Sequence, residues 1–345
     1  YVFRFHLRSL KHRRTITSES IIIKTNVMII KPEESVGIIN FVEVSEQLHT
    51  VNDYVRFGAS QFNQAELYFG HGTNNAWHEA LILVMHQLAL PQEISNDLMQ
   101  CRLVSQERIA ILHLFERRIV EGLPAAYLTN QAMFCGLPFY VDERVLVPRS
   151  PIGELIDNKF AGLIDHAPKQ ILDLCTGSGC IAIACAVAFP EADVDAADLS
   201  IDALNVAQIN IEGHGLSAQV MPIESDVFSG LVGQSYDLIV TNPPYVDQED
   251  VDALPQEYLH EPVMGLGSGF DGLDIVRKIL AQAASHLHDN GVLICEVGNS
   301  QIHLSTAFPN VPFQWLAFER GGHGVFRLTK AQLENHQQDF QAINN

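Results

Sequence analysis

The chain reads Ile171-Leu172-Asp173-Leu174-Cys175-Thr176-Gly177-Ser178-Gly179, a short apolar run that passes directly into a glycine-rich turn. Residues 179–188 continue with a helical pattern. Glycines at such a turn let the backbone bend sharply and approach a ligand closely, because no Cβ stands in the way. Extended to Ala182, the stretch also fits G-x-G-x-x-A, so the pattern alone leaves open a dinucleotide site and a plain strand-to-helix turn.

Apolar strand-like segments alternate with helical ones downstream of this turn. The predicted strands are residues 171–175, 192–198, 219–224, 236–241 and 291–297, and the predicted helices are 179–188, 200–212 and 273–287. Uninterrupted apolar strands joined by helices are typical of a parallel sheet covered on both faces. Residues 313–318 and 325–329 flank a glycine-rich turn and predict a terminal hairpin, which would add an antiparallel strand to the sheet.

The pattern is different upstream of residue 170. Residues 39–122 repeat apolar side chains at three- and four-residue intervals, most clearly in 76–90 and 105–121, which predicts a small helical domain. Short strand-like segments at 132–136 and 144–147 lie around Leu137-Pro138 and predict a hairpin linker. The expected fold is therefore α/β, with a mostly parallel sheet, an antiparallel C-terminal hairpin strand and a small N-terminal helical domain.

We divide the chain into five parts on this basis. They are an extension (1–31), a helical domain (32–122), a hairpin linker (123–153), an α/β domain (154–330) and a tail (331–345). The extension carries seven Lys/Arg against the single Glu19 and matches nothing downstream. We expect it to be disordered or non-native, with Met28 as the natural first residue; a transit peptide and a nucleic-acid-binding arm are the alternatives.

Composition restricts the partners of the remaining chain. After residue 31 it carries 14 basic and 40 acidic residues, a balance that repels nucleic-acid phosphates and attracts basic partners. No run of about 18 apolar residues predicts a membrane-spanning helix. The six cysteines form no C-x-x-C pair, and the fifteen histidines show no ligand spacing. We therefore expect buried free thiols, no metal and a cytoplasmic location.

Acidic residues end the second and third predicted strands. Asp198 closes one, where a carboxylate can accept hydrogen bonds from both ribose hydroxyls of a nucleoside. Asp226 closes the next strand, where it can accept a hydrogen bond from the adenine amino group. A single aspartate at a strand end is often only the cap of the following helix. Two in succession, after a glycine loop preceded by Asp173, favour a nucleoside ligand.

Asn242-Pro243-Pro244-Tyr245 follows the fourth predicted strand. The motif places a carboxamide, a rigid backbone carbonyl and an aromatic ring at the carboxyl edge of the sheet, where doubly wound folds bind ligands. An amide nitrogen is a poor nucleophile because its lone pair is delocalised into the carbonyl. The Asn242 oxygen and the Pro243 carbonyl can both accept from an NH2 group and orient it, while Tyr245 packs on the amide plane. No strong general base is needed, because an N-alkylated amide loses its proton readily.

These residues resemble the class I methyltransferases with an N-P-P-Y motif and, more narrowly, the protein-(glutamine-N5) methyltransferases. The resemblance covers about residues 40–330. Several segments are similar to the branch that acts on the large-subunit ribosomal protein L-three: residues 69–75 with Trp77, 147–154, 254–258, 260–262, 270–274 and 296–299. The release-factor branch usually reads P-R-P-x-T-E where this chain has the longer segment 148–154.

The resemblance implies a role for each matched residue. It implies that S-adenosylmethionine is bound by the domain 154–330, through Asp173, Cys175, Thr176, Gly177, Ser178, Gly179, Asp198, Leu199, Asp226, Val227 and Asn242. The catalytic motif would be Asn242, Pro243, Pro244 and Tyr245. The helical domain and linker would shape the substrate cleft, lined by Arg149, Glu154 and Glu261. Arg149 and Glu154 would either line this cleft or form a structural ion pair, and the structural role is favoured. Residues 69–75 would contact substrate or simply connect two helices.

The expected reaction is therefore N5-methylation of a glutamine side chain in a basic protein, ribosomal protein L-three, without direct nucleic-acid binding. Methylation of release factors and adenine-N6 methylation of nucleic acid are alternatives within enzymes, and the acidic body disfavours the second. A dinucleotide oxidoreductase would leave residues 242–245 unexplained. A non-catalytic assembly factor is the alternative outside enzymes.

Overall fold

The computed structural model describes residues 27–28, 39–91 and 95–342. The predicted extension 1–31 lies outside the described residues, apart from the short strand β1 (Val27–Met28), which pairs antiparallel with β2 (Ile39–Asn40). No helix within the described ranges has both the length and the apolar composition required to cross a bilayer.

Helices make up the N-terminal region, as predicted. They are α1 (Phe41–Gln47), α2 (Val51–Gln64), α3 (Ala76–Gln87), α4 (Asn96–Met99), α5 (Ser105–Val120) and α6 (Ala125–Thr129). Thr50 begins α2 with a capping box, since it accepts from the backbone of Asp53 while the Asp53 carboxylate accepts from the backbone of Thr50. Gly58 of α2 faces α5, where a Cβ would lie 2.6 Å from the Phe115 ring, so the two helices pack closely.

A two-stranded hairpin follows these helices. Strands β3 (Ala132–Phe134) and β4 (Leu137–Phe139) pair antiparallel across Cys135-Gly136. Both turn residues have positive φ, 48° and 71°, which is the geometry of a two-residue hairpin turn. The second strand predicted at 144–147 is therefore wrong, because this tight turn brings the partner strand back at once. Arg144 instead folds onto Asp142, whose carboxylate accepts from both its backbone and its guanidinium.

The rest of the chain forms a seven-stranded sheet and the helices that cover it. The strands are β5 (Gln170–Leu174), β6 (Asp193–Asp198), β7 (Val220–Glu224), β8 (Tyr236–Thr241), β9 (Leu287–Glu296), β10 (Gln314–Trp315) and β11 (Val325–Thr329). The helices are α7 (Ile152–Asp157), α8 (Cys180–Ala188), α9 (Ile201–Gly213), α10 (Gln248–Asp252), α11 (Asp274–Gln282), α12 (Gln301–Ala307), α13 (Lys330–Asn335) and α14 (Gln337–Ala342). Single 3-10 turns cover Gln256–His260, Val263–Gly265, Ala283–His286 and Gly298–Ser300.

The strand order is β10-β11-β9-β8-β5-β6-β7. Strands β5 to β9 pair in parallel, whereas β11 pairs antiparallel with both β9 and β10. The predicted α/β class, with a mostly parallel sheet and an antiparallel C-terminal hairpin, is confirmed. Buried apolar side chains fill the layers on both faces of the sheet, as Leu174 with Ile279 on one face and Ile171 with Ile183 on the other.

Three details differ from the sequence-based expectation. The helix predicted at 273–287 ends at Gln282, and Leu287 already pairs with Tyr236 as the start of β9, although polar residues follow it. Residues 331–342, predicted as a tail, form two helices that bury Leu333 and Phe340. The cysteines were expected to be buried, but only Cys180, Cys185 and Cys295 are; Cys135 and Cys175 are partly exposed and Cys101 is exposed.

Candidate active site

The strand order reverses at β5, because the chain next adds β6 and β7 on one side and β8 on the other. In open α/β sheets the crevice at the carboxyl end of this reversal is where ligands bind. Two hydrogen bonds join the strand ends here: the Thr241 hydroxyl donates to the Leu174 carbonyl at 2.7 Å, and the Thr176 N–H donates to the Ala197 carbonyl at 3.0 Å. The loops that follow the strands are thus held against one another.

Two cavities open at this edge of the sheet. The first, which we call the Asp198 cavity, measures about 240 Å³, and its wall includes Cys175, Gly177, Asp198, Leu199, Ser225, Asp226, Val227, Asn242, Pro244 and Ile275. The second, the Tyr245 cavity, measures about 400 Å³, and its wall includes Pro148, Arg149, Ser150, Thr176, Gly177, Ser178, Asn242, Pro243, Tyr245, Tyr258 and Glu296. Gly177 and Asn242 line both, so the cavities adjoin at these residues.

The two glycines of the loop, Gly177 and Gly179, are required for different structural reasons. Gly177 has a φ of +54° and no atom within 4 Å of where its Cβ would be, so it leaves the loop open. Gly179 has a φ of +79°, and a Cβ there would lie 3.2 Å from the Ala207 Cβ of α9. Cys175 and Val227 also have positive φ, 62° and 52°, although they are not glycines. Strained backbone of this kind concentrates at functional sites, and both residues line the Asp198 cavity.

Asp173 lies beneath the loop and is absent from both cavity walls. Its side chain is buried, and Oδ2 accepts from the Thr176 hydroxyl at 2.5 Å and from the Ala182 N–H at 2.9 Å. Oδ1 has no hydrogen-bond partner among the described residues. Burial raises the pKa of Asp173 to about 7. The contacts that the structure gives Asp173 are those of a residue that shapes the glycine loop.

Asp198 and Asp226 both lie on the wall of the Asp198 cavity. Asp198 accepts from the Gly177 N–H and the Ser200 N–H, each at 2.9 Å, and burial raises its pKa. Asp226 is more exposed and lies 3.7 Å from the Lys278 ammonium nitrogen. The half-exposed Leu199 side chain and the buried Val227 add apolar surface to the same cavity.

The Asn242 carboxamide lies where the two cavities adjoin. Among the described residues it has no hydrogen-bond partner, so its oxygen is available to a ligand. Pro243 is buried and faces the Tyr245 cavity, whereas Pro244 faces the Asp198 cavity. The two proline rings fix the backbone φ on the carboxyl side of Asn242. The arrangement presents hydrogen-bond acceptors on a rigid backbone.

Tyr245 forms part of the wall of the cavity named after it. Its hydroxyl donates to Glu296 Oε1 at 2.9 Å, and burial raises its pKa. A Cβ on Gly298 would lie 2.5 Å from the Tyr245 ring, so only glycine leaves room for the ring there. Sequence reasoning did not assign Glu296 or Gly298 to the site. The sequence signal was the segment 296–299, which resembles the L-three branch but was given no role in the site.

Arg149 pairs with Glu261, and the predicted ion pair between Arg149 and Glu154 is wrong. The guanidinium donates to both Glu261 oxygens at 2.6 Å, and its carbon lies 5.1 Å from the centre of the Tyr258 ring. Burial alone would raise the pKa of Glu261, but His71 and Arg149 lower it to about 2. Glu261 is fully buried behind the Tyr245 cavity, while the Arg149 side chain, 28% exposed, reaches its wall.

Glu154 lies apart from this pair. Its carboxylate accepts from the backbone N–H groups of Glu319 and Arg320 at 3.0 and 2.9 Å, because the C-terminal hairpin loop passes over the start of α7. It lines a third cavity of about 410 Å³, which shares Arg149 with the Tyr245 cavity. Glu154 thus anchors a loop at the edge of the cleft.

Residues 69–75 connect α2 to α3 and also pack against the cavity wall. His71 Nε2 lies 3.6 Å from Glu261 Oε2, and its ring centre is 4.4 Å from that of Tyr258. The buried Arg118 of α5 contacts both Glu79 and Glu257. The helical region therefore supports the segment 257–261 that holds Arg149.

The chain was compared with family models, with curated sequences and with solved structures. Residues 156–269 match the family described as the methyltransferase small domain. A ribosomal protein uL3 glutamine methyltransferase of Neisseria gonorrhoeae is 50% identical over 295 residues, which is 85% of this chain and 98% of the relative. The protein with the same description from Neisseria meningitidis is 49% identical over 86% of this chain and 98% of its own length. A solved methyltransferase from Pyrococcus furiosus is 19% identical, with a TM-score of 0.42 over 56% of this chain and 89% of that chain.

Proposed function

The chain belongs to the family of ribosomal protein uL3 glutamine methyltransferases, and from this premise we propose that it methylates the side-chain amide nitrogen of a glutamine in ribosomal protein uL3. The observation that carries the proposal is the Asn242 carboxamide, which has no partner among the described residues and lies where the two cavities adjoin. One cavity suits a nucleoside and the other a flat polar side chain, and Asn242 faces both.

The walls of the Asp198 cavity fit S-adenosylmethionine as the methyl donor. Leu199, Val227 and Ile275 offer apolar surface for a base, and Asp198 and Asp226 offer acceptors for hydroxyl and amino groups. Asp198 is oriented by the loop backbone at Gly177 and Ser200, so its oxygens are held in place before a ligand binds. When bound, S-adenosylmethionine supplies a methyl group activated by a sulfonium.

The residues of the motif act on the amide. The Asn242 oxygen and the Pro243 carbonyl accept from the substrate NH2 group and hold its nitrogen in one orientation, which can lower the barrier by several kcal/mol. The same acceptors stabilise positive charge that develops on the nitrogen. Tyr245, with its ring against Gly298 and its hydroxyl on Glu296, offers a flat apolar face to the amide plane and excludes water.

Two observations support uL3 as the substrate: the descriptions of the relatives and the net charge of the chain. Both relatives are described as acting on ribosomal protein uL3. The chain has a net charge of -20, which suits a basic protein substrate and opposes direct binding of nucleic acid. We further propose that residues 32–122 and 123–153 contact this substrate, that 154–330 hold the cofactor, and that the enzyme works in the cytoplasm.

Mass spectrometry of candidate substrates tests the proposed function. Purified protein is incubated with S-adenosylmethionine and, separately, with recombinant uL3, a release factor and an adenine-containing nucleic acid. We expect uL3 to gain one methyl group on a glutamine, and the gain to disappear when that glutamine is replaced by alanine. Methylation of the release factor or of the nucleic acid, with uL3 unmodified, would contradict the proposed substrate.

A further inference from the structure

One short segment, residues 296–300, begins with the last residue of β9 and supports Tyr245 on three sides. The Tyr245 hydroxyl donates to Glu296 Oε1 at 2.9 Å. The Tyr245 carbonyl accepts from the Ser300 hydroxyl at 2.7 Å, and the ring lies where a Cβ of Gly298 would be. The ring, its hydroxyl and its backbone therefore depend on one segment, and only Glu296 contributes a charge.

Glu296 also holds the opposite side of the cavity wall. Its second oxygen, Oε2, accepts from the Ser150 hydroxyl at 2.5 Å, and Ser150 adjoins Arg149 in the wall. The Glu296 residue is 4% exposed, so these bonds lie largely out of water. Both donors are hydroxyl groups, and a carboxylate with two free oxygens satisfies both at once. Glu296 thus links two parts of the wall that are distant in sequence.

We propose that Glu296 is a positioning residue for glutamine methylation, whose ionised carboxylate fixes the Tyr245 ring and the Ser150 side of the cavity so that the substrate amide is held in one plane. The inference rests on the proposed function and names a residue that acts through Tyr245. Glu296 lines the Tyr245 cavity and is absent from the wall of the Asp198 cavity. Its removal should therefore slow turnover and leave cofactor binding intact.

The ionisation of Glu296 gives this role a pH signature. Burial raises its pKa, while the bonds from Ser150 and Tyr245 and the charge of Arg149 lower it. The neighbouring thiol of Cys295 does not compete in this range, because burial raises its pKa well above its ordinary value. A protonated Glu296 carries its own O–H and can no longer accept on both oxygens. Turnover should therefore fall on the acid side as Glu296 gains its proton.

The same sheet contains a matched pair for control. The Tyr236 hydroxyl of β8 donates to Asp195 Oδ2 of β6 at 2.7 Å, and neither residue lines the two cavities. Asp195→Asn makes the same chemical change as Glu296→Gln at a carboxylate that holds a tyrosine hydroxyl. It should leave kcat and KM at their wild-type values. It should also leave unchanged the fall of kcat at low pH, which we call the acid limb.

The experiment measures kcat, KM for uL3, cofactor Kd by calorimetry and the pH dependence of kcat from about pH 5 to 9 for wild type, Glu296→Gln and Asp195→Asn. We expect Glu296→Gln to lose about 10- to 100-fold in kcat, to keep its cofactor Kd within about twofold, and to lose the acid limb. Wild-type kcat in Glu296→Gln, an unchanged acid limb, or equal losses in kcat and cofactor affinity would overturn the inference. A wild-type enzyme that leaves uL3 unmodified would overturn the proposed function as well.

Tyr245→Phe provides a second test that leaves Glu296 in place. It removes one donor to the ionised carboxylate, which raises the pKa of Glu296, so the fall of kcat in acid should begin at a higher pH. The loss in kcat should be similar to that of Glu296→Gln. The double variant Tyr245→Phe with Glu296→Gln should be no slower than the slower single variant, because both changes disrupt the same bond between the Tyr245 hydroxyl and Glu296. An unmoved acid limb in Tyr245→Phe, or additive losses in the double variant, would count against the positioning role.

Discussion

The Asp198 cavity and the Tyr245 cavity adjoin at Asn242 but are assembled differently. The Asp198 cavity takes its carboxylates from the ends of successive strands of one sheet, at Asp198 and Asp226. The Tyr245 cavity is built from segments far apart in the chain, around Arg149, Tyr258 and Glu296. The comparison teaches that the cofactor half depends on local strand–loop–helix units, whereas the substrate half depends on long-range contacts that hold each part of its wall.

Removal of the shared carboxamide should have the largest effect on turnover. Asn242→Ala deletes an acceptor aimed at the substrate nitrogen, so kcat should fall by about 100- to 1000-fold while the cofactor Kd stays close to wild type. Steady-state kinetics and calorimetry on the same preparation measure the two quantities. Asn205→Ala, an exposed carboxamide on α9, is the control. Parallel losses in kcat and cofactor affinity would mean that Asn242 serves mainly the Asp198 cavity.

The ion pair between Arg149 and Glu261, which joins distant segments of the Tyr245 cavity wall, should stabilise the fold. The folded pKa of Glu261, about 2, lies below its ordinary value of 4.5. Its contribution, about 3 kcal/mol, is therefore fully present above pH 4.5 and is lost as the pH falls towards 2. Glu261→Gln should lower the free energy of unfolding by about that amount at pH 7, and the difference from wild type should shrink in acid.

Urea unfolding at pH 7 and at about pH 3 measures this contribution. Glu249→Gln, which changes an exposed acid on α10, is the control and should match wild type at both pH values. A Glu261→Gln variant as stable as wild type at pH 7 would show that the bidentate contact with Arg149 contributes little to the free energy of unfolding.

A substitution in the Asp198 cavity should weaken cofactor binding and leave turnover almost unchanged. Asp198→Ala removes a charged acceptor, so the cofactor Kd should rise by about tenfold or more, as expected for hydrogen bonds worth about 1.5–3 kcal/mol. At saturating cofactor, kcat should remain within a fewfold of wild type. Calorimetric titration measures the change, with Asp195→Asn as the control on the same strand. An unchanged Kd would contradict the role of Asp198 in cofactor binding.

The smallest expected effect is on encounter with the substrate. The net charge of -20 should attract a basic protein over distances at which salt screens strongly. Raising ionic strength from about 0.05 to 0.3 M should therefore lower kcat/KM severalfold and leave kcat unchanged. Stopped-flow or steady-state rates across a salt series measure this. A flat response would show that long-range attraction plays no part in substrate capture.

The sequence predicted the residues of the Asp198 cavity better than the contacts that form the Tyr245 cavity. The glycine loop, the acids at strand ends and the Asn242 motif are short patterns whose spacing is set by the sheet, so their placement at one edge was predictable. The partner of Arg149 was not, because Glu261 is more than a hundred residues away and only the tertiary fold brings the two together. Asp173 is a different case, because the motif includes it but the sequence does not show that the fold buries it beneath the loop. The hairpin strand at 144–147 was misplaced because the tight turn at Cys135-Gly136 was not recognised.

A crystal structure of the enzyme with S-adenosylhomocysteine and a glutamine-containing uL3 peptide tests the central claim most directly. We predict the substrate amide nitrogen within hydrogen-bonding distance of the Asn242 oxygen and the Pro243 carbonyl, with the amide plane on Tyr245. A glutamine bound elsewhere, or an Asn242 side chain turned away from both ligands, would contradict the account.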